Sequence, residues 1–468
     1  MSNLTKNSTL DSNNKIKWEH VIFQSDLTQY VQTPDLKELS LTNKLLRSKL
    51  NSLMFSKIQL IHTHLIQHPN YFELEKFYLH KSSKNIESKG SFKTDVIDKY
   101  LKELSIELKG IQKYCKELKF ENFFRGAYYI IPQILVSDWA FDSLSNLSKL
   151  SIFECYLNAK DFAIILNKLN KLTCLEIFRL NLIKSHAENF DIENSIKLPQ
   201  NLNSLSVYGI TLSLTSIPSD SQYDFVFSYG IKIRSEPIYP LTQPSVNLKK
   251  LELYFPIDNT GYVENYLSNN QQLEELIISW SDFTSNVIHT LAGSNKLKSL
   301  HIYLSNDDKN HLTNDDIALP LLYSLTKLKL TLIYDINFNP AYTLINMCKS
   351  IKYLTIESKI YNVEFIKNLL EKLPNLIELS LKVEILESNE VDLAIYSSVT
   401  RLKLNVGVEY KVHYKLPSIP SKLEIVRIFG NFEAEENYEF IKAGCSNGWK
   451  IKLLGNNILC NKISDISN

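Results

Sequence analysis

The stretch NVEFIKNLLEKLPNLIELSL, Asn362 to Leu381, carries two hydrophobic periods in succession. Over Val363, Ile366, Leu369, Leu370 and Leu373 the apolar residues recur every three or four positions, which predicts a helix with one apolar face. From Leu376 the spacing tightens to apolar, two variable residues, apolar, one variable residue, apolar: LIELSL, the pattern of a short strand. A single helix–strand unit cannot bury both of its apolar edges. It therefore predicts neighbours of the same kind.

Those neighbours are present. The hexamer recurs as LSKLSI at Leu147, LTCLEI at Leu172, LNSLSV at Leu202, LKKLEL at Leu248, LEELII at Leu273 and LKSLHI at Leu297. It continues as LTKLKL at Leu325, IKYLTI at Ile351, VTRLKL at Val399 and LEIVRI at Leu423. From Leu248 onward, with LIELSL included, the starts lie 25, 24, 28, 26, 25, 23 and 24 residues apart. CKELKF at Cys115 and LEKFYL at Leu74 are looser copies. DFAIILNKLNKL places Phe162, Ile165, Leu166, Leu169 and Leu172 on one helical face, and NPAYTLINMCKSI does so with Leu344, Ile345 and Cys348.

The hexamers and their spacing resemble leucine-rich repeats of the class with helices on the convex side. The resemblance implies an α/β solenoid, a horseshoe with strands concave and helices convex, over residues 61–460. Many such repeats place an asparagine or cysteine after the strand. With that residue not evident here, other contacts are expected to replace its internal ladder. Between Leu202 and Leu248 the spacing opens, and 209–246, rich in Ser, Pro and aromatics, is expected to be an irregular insertion.

In such an array the variable residues of each strand face outward. The position after each hexamer reads Phe153, Phe178, Tyr208, Tyr254, Ser279, Tyr303, Thr331, Glu357, Lys382, Asn405, Phe429. The variable position inside the hexamer drifts from Ser151 and Glu176 through His301 to Lys403 and Arg427. Aromatic and arginine side chains bury large areas at low entropic cost, so these columns suit a protein-binding groove. Strand propensity alone also enriches Tyr and Phe. The candidate contact residues are Phe153, Phe178, Tyr208, Tyr254, His301, Tyr303, Lys403, Arg427 and Phe429.

Composition excludes several function classes. The chain has 468 residues, with 52 basic against 51 acidic, so no overall field draws in nucleic acid or an anionic membrane. AYYIIPQILV, Ala127 to Val136, is too short to span a bilayer. No export signal stands at the N-terminus, and the cysteines are scattered without a C-x-x-C pair. A cytoplasmic or nuclear protein with reduced thiols is expected, its Asn3, Asn7 and Asn146 sequons unglycosylated. Phosphate-loop and nucleophile-elbow motifs are absent. His62, His64 and His68 cluster without a further ligand at fixed spacing. No cofactor and no metal are expected, and the protein reads as non-catalytic.

The segment 15–60 follows other rules. Thr33-Pro34-Asp35 is a helix start: a capping hydroxyl, a proline at the first helical position and a carboxylate on the helix dipole. Leu36, Leu39, Leu46, Leu50 and Leu53 then keep a helical rhythm. WEHVIFQSDLTQYV supplies a second short apolar face upstream. The match DLKELSLTNKLLR resembles an F-box, the helical module that docks substrate receptors onto the Skp-type adaptor of a cullin–RING ubiquitin ligase. The resemblance implies a Skp-type adaptor and a cullin scaffold as partners, with Pro34, Asp35, Leu36, Leu39, Leu41, Lys44, Leu46 and Arg47 as adaptor contacts and a protein substrate on the repeats. Asn43 and Leu46 stand where the family has cysteine and tryptophan. Two alternatives stay open: a repeat scaffold with a helical N-terminal cap, or a repeat-type enzyme regulator acting through Arg125 or Arg401. Residues 1–14 and 461–468 read as tails, the first disordered.

Overall fold

The computed structural model describes residues 50–61, 106, 111–123, 146–215, 235–239, 241–254, 260–304, 319–332, 338–386, 390–407, 412–417, 421–430, 448–455 and 457–463. The strands are β1 (Lys57–Ile61), β2 (Glu117–Glu121), β3 (Lys149–Phe153), β4 (Tyr156–Asn158), β5 (Cys174–Ser185), β6 (Ser204–Thr215) and β7 (Ser235–Pro237). They continue as β8 (Lys250–Leu253), β9 (Glu275–Ser279), β10 (Ser299–Leu304), β11 (Lys327–Leu332), β12 (Tyr353–Ile360), β13 (Glu378–Ile385) and β14 (Glu390–Asp392). The last are β15 (Arg401–Val406), β16 (His413–Lys415), β17 (Ile425–Gly430), β18 (Trp449–Leu454) and β19 (Asn457–Lys462). The helices are α1 (Ala159–Lys168), α2 (Ile192–Ser195), α3 (Thr260–Asn269), α4 (Ser285–Gly293), α5 (Asn339–Met347) and α6 (Val363–Lys372).

Each hexamer from Cys115 to Leu423 forms a strand, and each strand pairs in parallel with the strand of the next hexamer. The register aligns like positions: Leu150, Leu175 and Leu205 stand opposite one another, as do Ile152, Ile177 and Val207. These inward positions are buried throughout and share one hydrophobic core with the helices. The result is an α/β fold dominated by a parallel sheet, compatible with a leucine-rich-repeat solenoid. No helix among the described residues is long and apolar enough to cross a membrane.

The contacts that replace an asparagine ladder are visible. The carbonyl of each hexamer's second residue accepts two backbone N–H groups from the next repeat. Ser148 O takes Thr173 and Cys174, Thr173 O takes Asn203 and Ser204, and so on to Thr400 O with Glu424 and Ile425. A side-chain amide just before several hexamers reaches back to the preceding repeat: Asn146 to Lys113 O at 3.1 Å, Asn201 to Asn170 O at 2.8 Å, Asn247 to Gln200 O at 3.0 Å. Buried carbonyls must find donors somewhere, and here neighbours supply them. The ladder position itself is not empty everywhere. Cys155 occupies it after β3, buried, with its thiol donating to Phe153 O at 3.1 Å.

Four expectations change. Phe55-Ser56-Lys57-Ile58-Gln59-Leu60 is itself a hexamer: β1 pairs in register with β2, and Ser56 O accepts from Lys116 and Glu117 as in every later repeat. The division at 60/61 therefore falls inside a strand, while LEKFYL at Leu74 lies outside the described residues. Residues 209–215 belong to β6, which follows β5 through both halves, so irregularity cannot begin at 209. Val363 lies off the buried face of α6 and Phe365 takes its place. The Asn362 side chain caps the helix by accepting from Phe365 N at 2.8 Å, setting a phase in which 365, 366, 369, 370 and 373 face inward. Finally, the sheet closes with antiparallel strands: β19 pairs with β17 and β18 with β19, so ordered structure runs past 460 to Lys462.

Two residues past the end of the hexamer the backbone makes a shared bend. Asn122, Glu154, Arg179 and Gly209 occupy equivalent places in four successive repeats, and all have positive φ, at 62°, 51°, 50° and 71°. The bend resets the two-residue alternation. In β5, Leu175 and Ile177 before it and Leu180 and Leu182 after it all point inward, although three residues separate 177 from 180.

Candidate functional site

The bend fixes what precedes it. Phe153, Phe178 and Tyr208 lie in register on β3, β5 and β6, and Tyr254 follows β8 with its N–H on Val207 O. Their rings stack: Phe153–Phe178 at 5.6 Å, Phe178–Tyr208 at 4.3 Å and Tyr208–Tyr254 at 4.6 Å, with planes 17–20° from parallel. Ser279, small, leaves the next place open, and Tyr303 reaches across it to meet Tyr254 edge-on at 5.5 Å. His301 tilts against Tyr303 at 4.3 Å. Six of the candidate residues thus form one ladder on the sheet face opposite the helices.

Cations flank the ladder. Lys119 Nζ lies 4.5 Å from the Phe153 ring centre, and the Arg179 guanidinium lies 5.2 Å from Phe178 and 5.7 Å from Tyr208. Beside the rings runs a groove of about 500 Å³, lined by the four stacked rings and Tyr303 together with Glu176, Glu252 and Thr331. Glu176 is neutralised by Lys149 at 2.6 Å and accepts from Ser151 at 2.7 Å. Glu252 has no ion pair among the described residues. Burial first, and then the Glu252 charge, raise the Tyr303 phenol above its ordinary pKa, so it stays a neutral donor.

Toward the C-terminus the face becomes polar and paired. His301 Nε2 meets Thr331 Oγ1 at 2.9 Å, and Thr331 donates to Glu357 at 3.2 Å. Burial, with Lys329 nearby, lowers the His301 pKa to about 4, so the ring is neutral and donates through Nε2. Burial works against the Glu357 carboxylate, yet Lys329 at 3.1 Å, with Lys382 and Thr331, holds it below the usual range. Lys403 pairs with Glu378 at 2.6 Å. Lys403 on β15 and Tyr303 on β10 are four strands apart, roughly 19 Å at the usual strand spacing. Lys403, Arg427 and Phe429 therefore form a second group and do not join the ladder. Phe429 pairs with Asn457 of β19.

Lys119, Arg179 and Glu252 are not among the candidate contacts, although Lys119 and Glu252 occupy the variable position inside their hexamers. Arg179 could have been found as the residue following Phe178 at the bend. The adaptor-contact candidates Pro34, Asp35, Leu36, Leu39, Leu41, Lys44, Leu46 and Arg47 lie outside the described residues, as do the three clustered histidines and Arg125. Burial pushes the thiols of Cys115, Cys155 and Cys348 up to about 12, so they are protonated packing groups at neutral pH.

No family model and no curated protein matches the sequence. Among solved structures, a protein from Bacteroides fragilis aligns at 14% identity and a TM-score of 0.32, over 67% of this chain and 82% of that one. TLR13, solved in complex with the RNA ssRNA13, aligns at 15% identity and a TM-score of 0.29, over 69% of this chain and 50% of its own. The fold assignment rests on the strand register and the carbonyl ladder of the chain itself.

Proposed function

We propose that this chain is a non-catalytic interaction protein whose open sheet face captures a protein partner, with the Phe153–Phe178–Tyr208–Tyr254 ladder as its anchor surface. The observation that carries this reading is the ladder. A run of stacked aromatics on a face that no described helix covers, flanked by cations and by one carboxylate without an ion pair among the described residues, has the composition of an interface centre. Its rings are held by in-register strands, so little order remains to be gained on binding.

The finer proposal is that the partner is a substrate and the chain the substrate-recognition subunit of a cullin–RING ligase. In that reading the segment around DLKELSLTNKLLR holds the Skp-type adaptor, and catalysis is served by raising the local concentration of substrate lysines. The support is the motif and its position just upstream of the repeats. A second reading, a scaffold with a helical cap, is favoured by Leu50: it is fully buried in a helical turn immediately before β1, where a cap would sit. Co-precipitation of the full chain with a Skp-type adaptor separates them. Loss of the adaptor in a folded L39D/L46D variant supports docking. Unfolding of that variant, or no adaptor with the wild type, supports the cap and leaves the ladder reading standing.

A further inference from the structure

The C-terminal end of the open face carries charge that its own structure does not use. Lys403 on β15 and Arg427 on β17 stand directly opposite each other in the register. Arg427 is opposite Leu459 of β19, which is opposite Lys452 of β18, so all four share one row. The adjacent row runs Glu378, Arg401, Ile425, Asn461, Lys450. Glu378 is the one carboxylate in these two rows, and it is taken by Lys403 at 2.6 Å. Arg401, Arg427, Lys450 and Lys452 are exposed and have no ion pair among the described residues.

Like charges directly opposite on neighbouring strands destabilise a sheet. Elsewhere on this face Lys149 is matched with Glu176, Lys250 with Glu275 and Lys329 with Glu357, while Lys327 lies 5.9 Å from the Tyr353 ring centre. Edge strands often carry lysines that discourage aggregation, which accounts for Lys450 and Lys452 on β18. It does not account for Arg427 two strands inside that edge, or Arg401 three strands inside. Arg401 and Arg427 flank a hollow of about 330 Å³ lined also by Leu402, Ile425 and the Lys403–Glu378 pair.

We infer that this end of the face is a docking site for an acidic segment of a partner protein, one in which carboxylates alternate with apolar side chains. Charge complementarity selects the occupant. The free cations stand on three strands, β15, β17 and β18, rather than converging on a point, as a single phosphate would require. Half-buried Ile425 and Leu459 lie between them. A nucleic acid would need a longer cationic track, and this one stops at Glu378 and Glu357. The inference rests on reading the open face as a partner surface.

The test is fluorescence anisotropy with the full chain and a short labelled peptide of repeating Glu-Glu-Leu, against its Gln-Gln-Leu counterpart. The acidic peptide is expected to bind, with the neutral one weaker by about tenfold or more. R401Q/R427Q is expected to weaken binding by about tenfold, and the edge variant K450Q/K452Q by a few-fold, both with unchanged circular dichroism. Y208A, in the ladder, should leave peptide binding within about twofold, since it acts at a separate group. Equal binding of the neutral peptide, or no loss in R401Q/R427Q and K450Q/K452Q, overturns the inference. So does displacement of the acidic peptide by an oligothymidylate of equal charge, which would assign the patch to nucleic acid. If Y208A abolishes partner capture while the acidic peptide fails to bind, the acidic-segment inference falls alone. If Y208A leaves partner capture intact, the ladder reading falls instead.

Discussion

Arg179 donates to the Glu154 carboxylate at 3.0 Å, joining two residues that both hold a left-handed backbone conformation. Neither residue type favours that region, and the bend would suit glycine or asparagine better. Two of its four places hold such residues, Asn122 and Gly209. The other two accept conformational strain, partly offset by an ion pair that is exposed and therefore worth little.

Gly209→Ala should destabilise the protein by about 1 kcal/mol, because an added Cβ meets nothing within 4 Å and the penalty is purely that of the φ of 71°. Glu154→Asn should have the opposite sign, raising stability by a few tenths of a kcal/mol as strain falls and the exposed pair is lost. Urea midpoints of the two variants decide it. The same sign for both would mean that the bend is not the controlling feature.

Phe178 and Tyr208 should couple. Their stacked rings are expected to contribute about 0.5–1.5 kcal/mol beyond their separate burial, measured by a double-mutant cycle of Phe178→Leu and Tyr208→Leu in urea. In a partner-binding assay the same single variants should lose more affinity than stability, since a hot-spot residue serves the complex. Equal losses in the folding and binding cycles would reduce the ladder to a device for holding strands together.

The fold was legible because burial imposes a strict rule. Three of six positions in each hexamer must be apolar, and in-register stacking repeats that demand in every unit. The first repeat escaped because Phe55 replaces the leading leucine and a helical turn precedes it directly. The bend escaped too: Glu154 and Arg179 owe their left-handed backbones to the repeat around them, since their own propensities point elsewhere. At the candidate site the aromatic column could be read from position alone. Charge balance could not, because whether Lys403, Arg427 or Glu252 is paired depends on which strands are neighbours. Lys450 and Lys452 join the face only through an antiparallel turn around Gly455, which lies outside the repeat spacing.

His301 gives the protein an acid-side weakness. Its folded pKa of about 4 lies below the ordinary histidine value of 6.5, set by burial first and by Lys329 and Lys250, with Glu357 opposing. Above 6.5 both folded and unfolded forms are neutral and nothing is lost. As pH falls from 6.5 toward 4 the unfolded chain takes up the proton first, so stability declines across that window by up to about 3 kcal/mol. His301→Gln, which can still donate to Thr331, should flatten the slope between pH 6.5 and 4.5 in urea titrations. A slope unchanged by the substitution would assign the decline to the carboxylates.

The placement of β1 changes where the repeat array can be cut. A chain beginning at residue 62 lacks Ser56 O, so the N–H groups of Lys116 and Glu117 lose their acceptor. It also lacks the Gln59–Glu121 hydrogen bond at 2.8 Å and leaves β2 as an unpaired edge over a buried Leu118 and Phe120. An open parallel edge invites self-association. A chain beginning at residue 49 retains Leu50, the helical turn and β1. Size-exclusion chromatography should show the longer chain as a single species and the shorter one aggregating or unfolding at lower urea. If both behave alike, β1 contributes nothing to the array. Loss of a partner on truncation at 62 could then be charged to the N-terminal segment itself. If they differ, only the cut at 49 can separate adaptor docking from the integrity of the repeats.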